Sequence, residues 1–277
     1  MQIETGTRQP DTDKQAVRDF WQQASCGEDL YLHEVSREGY IEQARQRYAL
    51  EPYIPGFAQF AQARDRDVLE IGVGLGADHQ QFAAAGARLR GIDLTERAIT
   101  HARRRLALFG LQSNLAVGDA ENLPFDSNTF DIVYSWGVIH HSPDTPAAVA
   151  QIHRVLRPGG VARIMIYHKW SLVGYMLWIR YALLRLRPWL GLRAIYARYL
   201  ESPGTKAYSV AEARQLCAAF SSTRVRTVLT HGDLLESAAG QRHGGPLLAI
   251  ARRLWPRTLL KRLAPGQGLF MLIEAVK

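Results

Sequence analysis

Glu70-Ile71-Gly72-Val73-Gly74-Leu75-Gly76 sets three glycines at alternate positions, directly after a short apolar run that begins at Asp67. That spacing lets a backbone turn sharply and approach a ligand with no Cβ in the way. Asp93 follows 17 residues after Gly76, at the end of the next apolar run. A carboxylate there accepts hydrogen bonds from both ribose hydroxyls of an adenosine group. Gly72 to Ala77 also satisfies the looser dinucleotide fingerprint, so the loop and Asp93 alone leave the adenosine-bearing cofactor open. A second set of candidates could move a proton. His140 and His141 stand in Gly137-Val138-Ile139-His140-His141-Ser142, and an imidazole titrates near neutral pH. Tyr167 and His168 end another apolar run, and Tyr208 and Cys26 are weaker candidates of the same kind.

These residues need a scaffold that brings run ends together. Short apolar runs at Asp67–Gly72, Arg88–Asp93, Asn114–Val117, Phe130–Trp136 and Val161–Tyr167 read as strands, and two more follow at Arg224–Thr230 and Leu269–Val276. Helical stretches alternate with them: Ala77–Ala85 stopped by Gly86, a helix capped by Thr95 that runs to Phe109, Ala147–Leu156, and Val210–Phe220 capped by Ser209. Arg157-Pro158-Gly159-Gly160 reads as the turn that ends the third. Alternation of this kind predicts an α/β fold, a doubly wound parallel sheet whose ligand sits outside the carboxyl ends of the strands. Residues 1–60 read as a helical lead-in or lid and 61–277 as the core.

A third acidic station, Gly118-Asp119-Ala120-Glu121-Asn122-Leu123-Pro124-Phe125, follows the third strand, then Phe130–Trp136 and Leu156–Gly160. With the glycine loop and Asp93, this ordered set resembles the class I S-adenosylmethionine-dependent methyltransferases, nearest the small-molecule branch that includes the ubiquinone- and menaquinone-biosynthesis enzymes. The resemblance covers about residues 60–167. It implies a Rossmann-like, mostly parallel, seven-stranded sheet with an antiparallel final strand, and S-adenosylmethionine as the cofactor. It further implies that Glu70, Gly72, Gly74 and Gly76 cradle the methionine portion, and that Asp93 takes the ribose with Leu94 against the adenine. Asp119 and Ala120 would address the adenine edge, and Ser135 and Trp136 would face the sulfonium. No metal is expected. Nucleobase amines are disfavoured as acceptors, because such enzymes resemble one another in an Asn/Asp-Pro-Pro-aromatic run where this chain has Ser135-Trp136-Gly137-Val138. Two cysteines also fall short of the several that arsenic methylation resembles.

Methyl transfer is an in-line displacement, and a general base is needed only for a poor nucleophile such as a hydroxyl or an acidic carbon. His140, His141 and Tyr167 are the candidates for that base. Rival readings are a protein of this fold that binds the cofactor for other chemistry, and a basic RNA-binding methyltransferase.

The formal charge of +8 is unevenly spread. Residues 161–200 carry seven basic residues and 237–273 carry six, with no acid in either, while the remainder is mildly acidic. Cap insertions are expected at about 168–205 and 232–267. In the first, Leu172, Met176, Ile179, Leu183 and Leu186 form a helical stripe; in the second, Pro246–Trp255 and Thr258–Leu263 are short, basic and amphipathic. Three readings stand: a substrate cap for a lipophilic or anionic small molecule, peripheral contact with an anionic membrane, and, least favoured, nucleic acid. The N-terminus shows no basic-then-apolar signal region and no run is long enough to span a bilayer, which predicts a cytoplasmic protein, with the membrane surface as the variant.

Overall fold

The computed structural model describes residues 10–236 and 252–277, together with Ala249. Half of the expected stretch Pro246–Trp255 lies outside the described residues. Seven strands form one sheet: β1 (Asp67–Ile71), β2 (Arg88–Asp93), β3 (Asn114–Val117), β4 (Phe130–Trp136), β5 (Leu156–Tyr167), β6 (Ser222–Val228) and β7 (Phe270–Val276). Their order is β3-β2-β1-β4-β5-β7-β6. β1 to β5 are mutually parallel, and β7 runs antiparallel to both neighbours. This is the expected Rossmann-like methyltransferase sheet. Strand order reverses between β1 and β4, so the turns that follow these two strands face one crevice.

Helices cover both faces: α1 (Pro10–Gln23), α2 (Glu28–Tyr31), α3 (Arg37–Leu50), α4 (Ile54–Ala58), α5 (Ala77–Ala84), α6 (Glu96–Leu108), α7 (Thr145–Val155), α8 (Leu172–Tyr181), α9 (Leu192–Tyr199) and α10 (Val210–Leu216). A short helix, Arg257–Leu263, precedes β7. Thr95 caps α6 by accepting from the Ala98 amide, and Ser209 and Glu212 form a reciprocal capping box on α10. Period-two alternation sorts β4 between two cores: Val133 joins Ile164 and Ile273, whereas Ile132, Tyr134 and Trp136 join Phe82, Met165 and Phe270.

Two expectations differ from the structure. Arg157–Gly160 is not a turn outside the sheet; β5 already begins at Leu156 and tolerates a register shift opposite Phe130 and Ile132. Lys277 supplies the reason, since its amide and carbonyl pair with Gly160 and Gly159 and tie this bulged segment, with Gly159 at φ 76, to the end of β7. Arg157 meanwhile ties Asp67 to Asp131, at the edge of the sheet away from the crevice. The apolar stripe in the first insertion is also displaced. α8 ends at Tyr181 and buries Leu177 and Tyr181 against Ile195, while Ile179, Leu183 and Leu186 are exposed. A loop turned at Leu186 breaks the register that a longer helix would have kept.

Candidate active site

A cavity of about 1100 Å³ opens at the carboxyl ends of β1, β2 and β4. Its floor is the glycine loop, with Gly72, Gly74 and Gly76 all at positive φ. A Cβ on Gly72 would lie 2.1 Å from Val138 Cγ2, so the loop after β1 and the loop after β4 touch only because Gly72 has none. A Cβ on Gly74 would meet nothing within 4 Å, which leaves its backbone bare toward the cavity. Asp93 closes this floor. One carboxylate oxygen accepts from the Gly74 amide at 3.2 Å and the other from the Thr95 amide and hydroxyl at 3.0 and 2.9 Å. Burial raises the Asp93 pKa, and these donors oppose that rise.

Glu70 is 3% exposed, and its carboxyl lies 2.8 Å from His79 Nδ1. Burial drives Glu70 well up and pulls His79 down to about 3, so the contact is a hydrogen bond between neutral groups. The donors run in one direction. The Glu70 carboxyl donates to Nδ1, Nε2–H donates to Ser113 Oγ at 2.8 Å, and Ser113 donates to the Leu89 carbonyl. Beside it, Asp78 accepts from Arg47, Tyr48 and Tyr134 at 2.8, 2.9 and 2.8 Å. Burial works against the Arg47 charge, but Asp78 and Glu51 together raise its pKa well above the usual value. Glu51 lines the cavity, and burial lifts its carboxyl to about 7 despite Arg47. Arg105 fastens the floor from behind, donating to the Leu75 carbonyl, to the Tyr40 carbonyl and to Gln43.

Beyond Asp93, Leu94, Asp119 and Ala120 line the cavity. Lys14 of α1 reaches Asp119 and Glu121 at 2.6 Å each, so the lead-in folds over this end. Glu121 in turn accepts from the Ser142 hydroxyl and, at 2.8 Å, from the Asp144 amide.

The opposite wall is the loop after β4. His141 faces the cavity, with Nδ1 2.8 Å from Ser202 Oγ and 3.1 Å from Thr205 Oγ1, and Nε2 3.4 Å from Glu201. Tyr167 also lines the cavity and donates to Glu201 at 2.5 Å. Burial and then the Glu201 charge raise the Tyr167 pKa far enough that the phenol stays protonated. Lys206 pins the same loop through the Ser142 and Pro143 carbonyls. His140, His141 and Glu201 have ligand atoms within 4.8 Å of one another, and Glu201 both accepts from Tyr167 and lies at ion-pair distance from His141.

Three sequence-predicted site residues lie off the cavity. Gly76 turns behind the loop, where a Cβ would lie 3.1 Å from the Ala102 Cα of α6. Ser135 does not reach the cavity: alternation along β4 turns it to the face opposite Trp136, where its hydroxyl is buried. His140 does not reach it either. Its ring is fully buried between His141 and Tyr167, with centroids at 4.2 and 4.0 Å, and burial holds its pKa well below the ordinary value. Of the weaker candidates, Cys26 lines the cavity with its thiol pushed up to about 12 by burial and by Glu201, although solvent still reaches it through the opening. His168 and Tyr208 lie off the cavity and bridge β5 to the segment before α10.

Sequence reasoning missed Arg47, Glu51, Asp78 and Glu201. Glu201 had a signal: it is the first acid after the acid-free stretch 161–200. The roof of the cavity is apolar and comes from the insertions, with Met176, Leu177, Ile179 and Leu184 from the first and Leu235 and Trp255 from the second.

Residues 69–164 match the family described as a methyltransferase domain. The chain is 41% identical over 95 residues to a phthiotriol/phenolphthiotriol dimycocerosates methyltransferase of Mycobacterium leprae, covering 34% of each chain. It is 31% identical over 162 residues to phosphoethanolamine N-methyltransferase 2 of Caenorhabditis elegans, covering 55% of this chain and 35% of the relative. The aligned region spans about a third of the length of these relatives. Among solved structures, phosphoethanolamine N-methyltransferase 2 of Haemonchus contortus, held with phosphomonomethylethanolamine and S-adenosylhomocysteine, superposes with a TM-score of 0.56 at 19% identity, over 94% of this chain and 60% of that one. The likeness to that structure is one of fold.

Proposed function

We propose that this chain, with its methyltransferase domain at residues 69–164, is an S-adenosylmethionine-dependent methyltransferase of a small, largely apolar acceptor, with His141 as general base. The reading is carried by one cavity that holds the glycine loop, Asp93 and Asp119 at one end and His141, Glu201 and Tyr167 at the other. The residues fit the cofactor. Open space beside Gly74 exposes backbone, and the Asp93 oxygen that accepts from Gly74 keeps acceptor capacity for a ribose hydroxyl, the other being filled by the Thr95 amide and hydroxyl. Asp93 would take the ribose, Leu94, Asp119 and Ala120 the adenine, and Glu70, Gly72 and Gly74 the methionine portion, with Arg47 and Gln43 beside them.

When bound, the cofactor supplies an electrophilic methyl group on a sulfonium. His141 would accept the proton of an acceptor hydroxyl or acidic carbon as that atom attacks. Glu201 would orient the imidazole and stabilise its cationic form, and the Tyr167 hydroxyl holds Glu201 in place. The apolar walls exclude water from the reacting atoms. Titration calorimetry with S-adenosylmethionine tests the core of this reading, with saturable one-to-one binding expected. No binding would overturn it.

A further inference from the structure

The same insertions that roof the cavity carry an apolar surface left exposed among the described residues. Leu186 is 82% exposed, Trp189 75% and Leu184 60%. They are not needed to hold the cap together. α8 and α9 already share a closed core of Leu177, Tyr181, Ala182 and Ile195, with Tyr181 stacked on Tyr199 at 4.0 Å. Leu186 is moreover held at φ 55, a left-handed conformation that a branched side chain seldom adopts, at the tip of the loop between the two helices. In sequence the tip is flanked by Arg180, Arg185 and Arg187, with no acid between residues 161 and 200. Exposed leucine and tryptophan ringed by arginine complement one kind of surface, an anionic lipid bilayer, in which the apolar tips enter the headgroup region and the guanidinium groups meet phosphate.

A second observation points the same way. Ile179 and Leu184 are exposed and also line the cavity, and Arg252 and Trp255 of the second insertion border it as well. The apolar surface therefore continues into the cavity mouth. No helix among the described residues is long and apolar enough to cross a membrane, so the contact lies in the interface plane.

We infer that the cap formed by α8, the Leu183–Trp189 loop and the residues around Trp255 docks on an anionic membrane surface and opens the cavity toward lipid. Docking stands or falls without the reaction. Only the corollary, that the acceptor is drawn from the bilayer, rests on the methyl-transfer reading.

Co-sedimentation of the full chain with phosphatidylglycerol-containing vesicles, against pure phosphatidylcholine vesicles, tests the inference. Expected is at least about tenfold stronger partition to the anionic vesicles, weakening as salt rises. Leu186→Ser with Trp189→Ser, and separately Arg185→Glu with Arg187→Glu, each lower it about tenfold or more. S-Adenosylmethionine affinity, measured by calorimetry on the same preparations, stays unchanged, which separates failure of docking from failure of the methyltransferase reading. Should a double variant lose its fold, quenching of wild-type tryptophan emission by brominated lipid, diminished in Trp189→Phe, supports the inference in its place. Equal or absent partition to the two vesicle types overturns it. So does binding that survives both charge and apolar variants, a dimer in solution that dissociates on Trp189→Ser, or a salt-sensitive affinity for RNA that exceeds that for vesicles.

Discussion

The two ends of the cavity are built on opposite physics. The floor at β1 and β2 is polar, buried and almost fully hydrogen-bonded: Asp93, Glu70 with His79, and Asp78 with Arg47 each have their partners in place. The roof is apolar and half open, with Met176, Ile179 and Leu184 toward the cavity. A polar floor of fixed geometry suits a ligand of one constant shape. An apolar roof tolerates ligands of varied shape, because hydrophobic contact has no direction. On the function proposed above, the floor would take the cofactor and the roof the acceptor.

Substitutions can break that division, and the largest effect is expected at the chemistry between the two ends. His141→Ala should lower kcat by about 10²–10⁴-fold for a hydroxyl or carbon acceptor while leaving cofactor affinity unchanged. His140→Leu, by contrast, should keep kcat within a few-fold of wild type, since its buried ring touches no cavity. Equal losses at the two positions, measured by single-turnover kinetics, would remove the distinction drawn between them. Gly72→Ala should come next, destabilising the fold by roughly 3 kcal/mol through its positive φ and its clash with Val138, as read by denaturant unfolding. Asp93→Ala should weaken S-adenosylmethionine about 10–100-fold by calorimetry, the scale of lost charge-assisted hydrogen bonds.

Glu51 sharpens the comparison through pH. Its folded pKa, about 7, lies above the ordinary glutamate value of 4.5, so between those values the folded chain keeps a proton that the unfolded chain releases. Stability from this group is therefore full below 4.5 and falls as pH rises toward 7. Glu51→Gln should flatten that slope and raise the melting temperature at pH 8 relative to wild type, an effect on the order of 2 kcal/mol in thermal scans. The smallest effect is expected in the roof. Met176→Ala should raise the KM for an apolar acceptor only a few-fold and leave the affinity for the cofactor unaltered. A change in cofactor affinity there would show that floor and roof are not separate.

Much of the floor was legible in the sequence. A glycine at every second position after a strand, an acid at the end of the next strand and a cap at Thr95 are local features, and they fold where local chemistry directs them. The seven strands were legible for the same reason, since period-two apolar runs and glycine stops need no distant partner. The misplaced features were those decided at a distance. The stripe on α8 followed helical periodicity beyond the point where packing on α9 ends the helix. Arg157–Gly160 carried turn residues, yet pairing with Lys277, more than a hundred positions away, keeps them in β5.

By itself the sequence determined the sheet, the cofactor loop and the edge at which a reaction would occur, because each depends on residues within a turn or two of one another. Only the tertiary structure decided between His140 and His141. The two neighbours in sequence point to different sides of one loop, and what separates them is Glu201, Ser202 and Thr205, some 60 residues on, closing around one ring and leaving the other sealed against Tyr167.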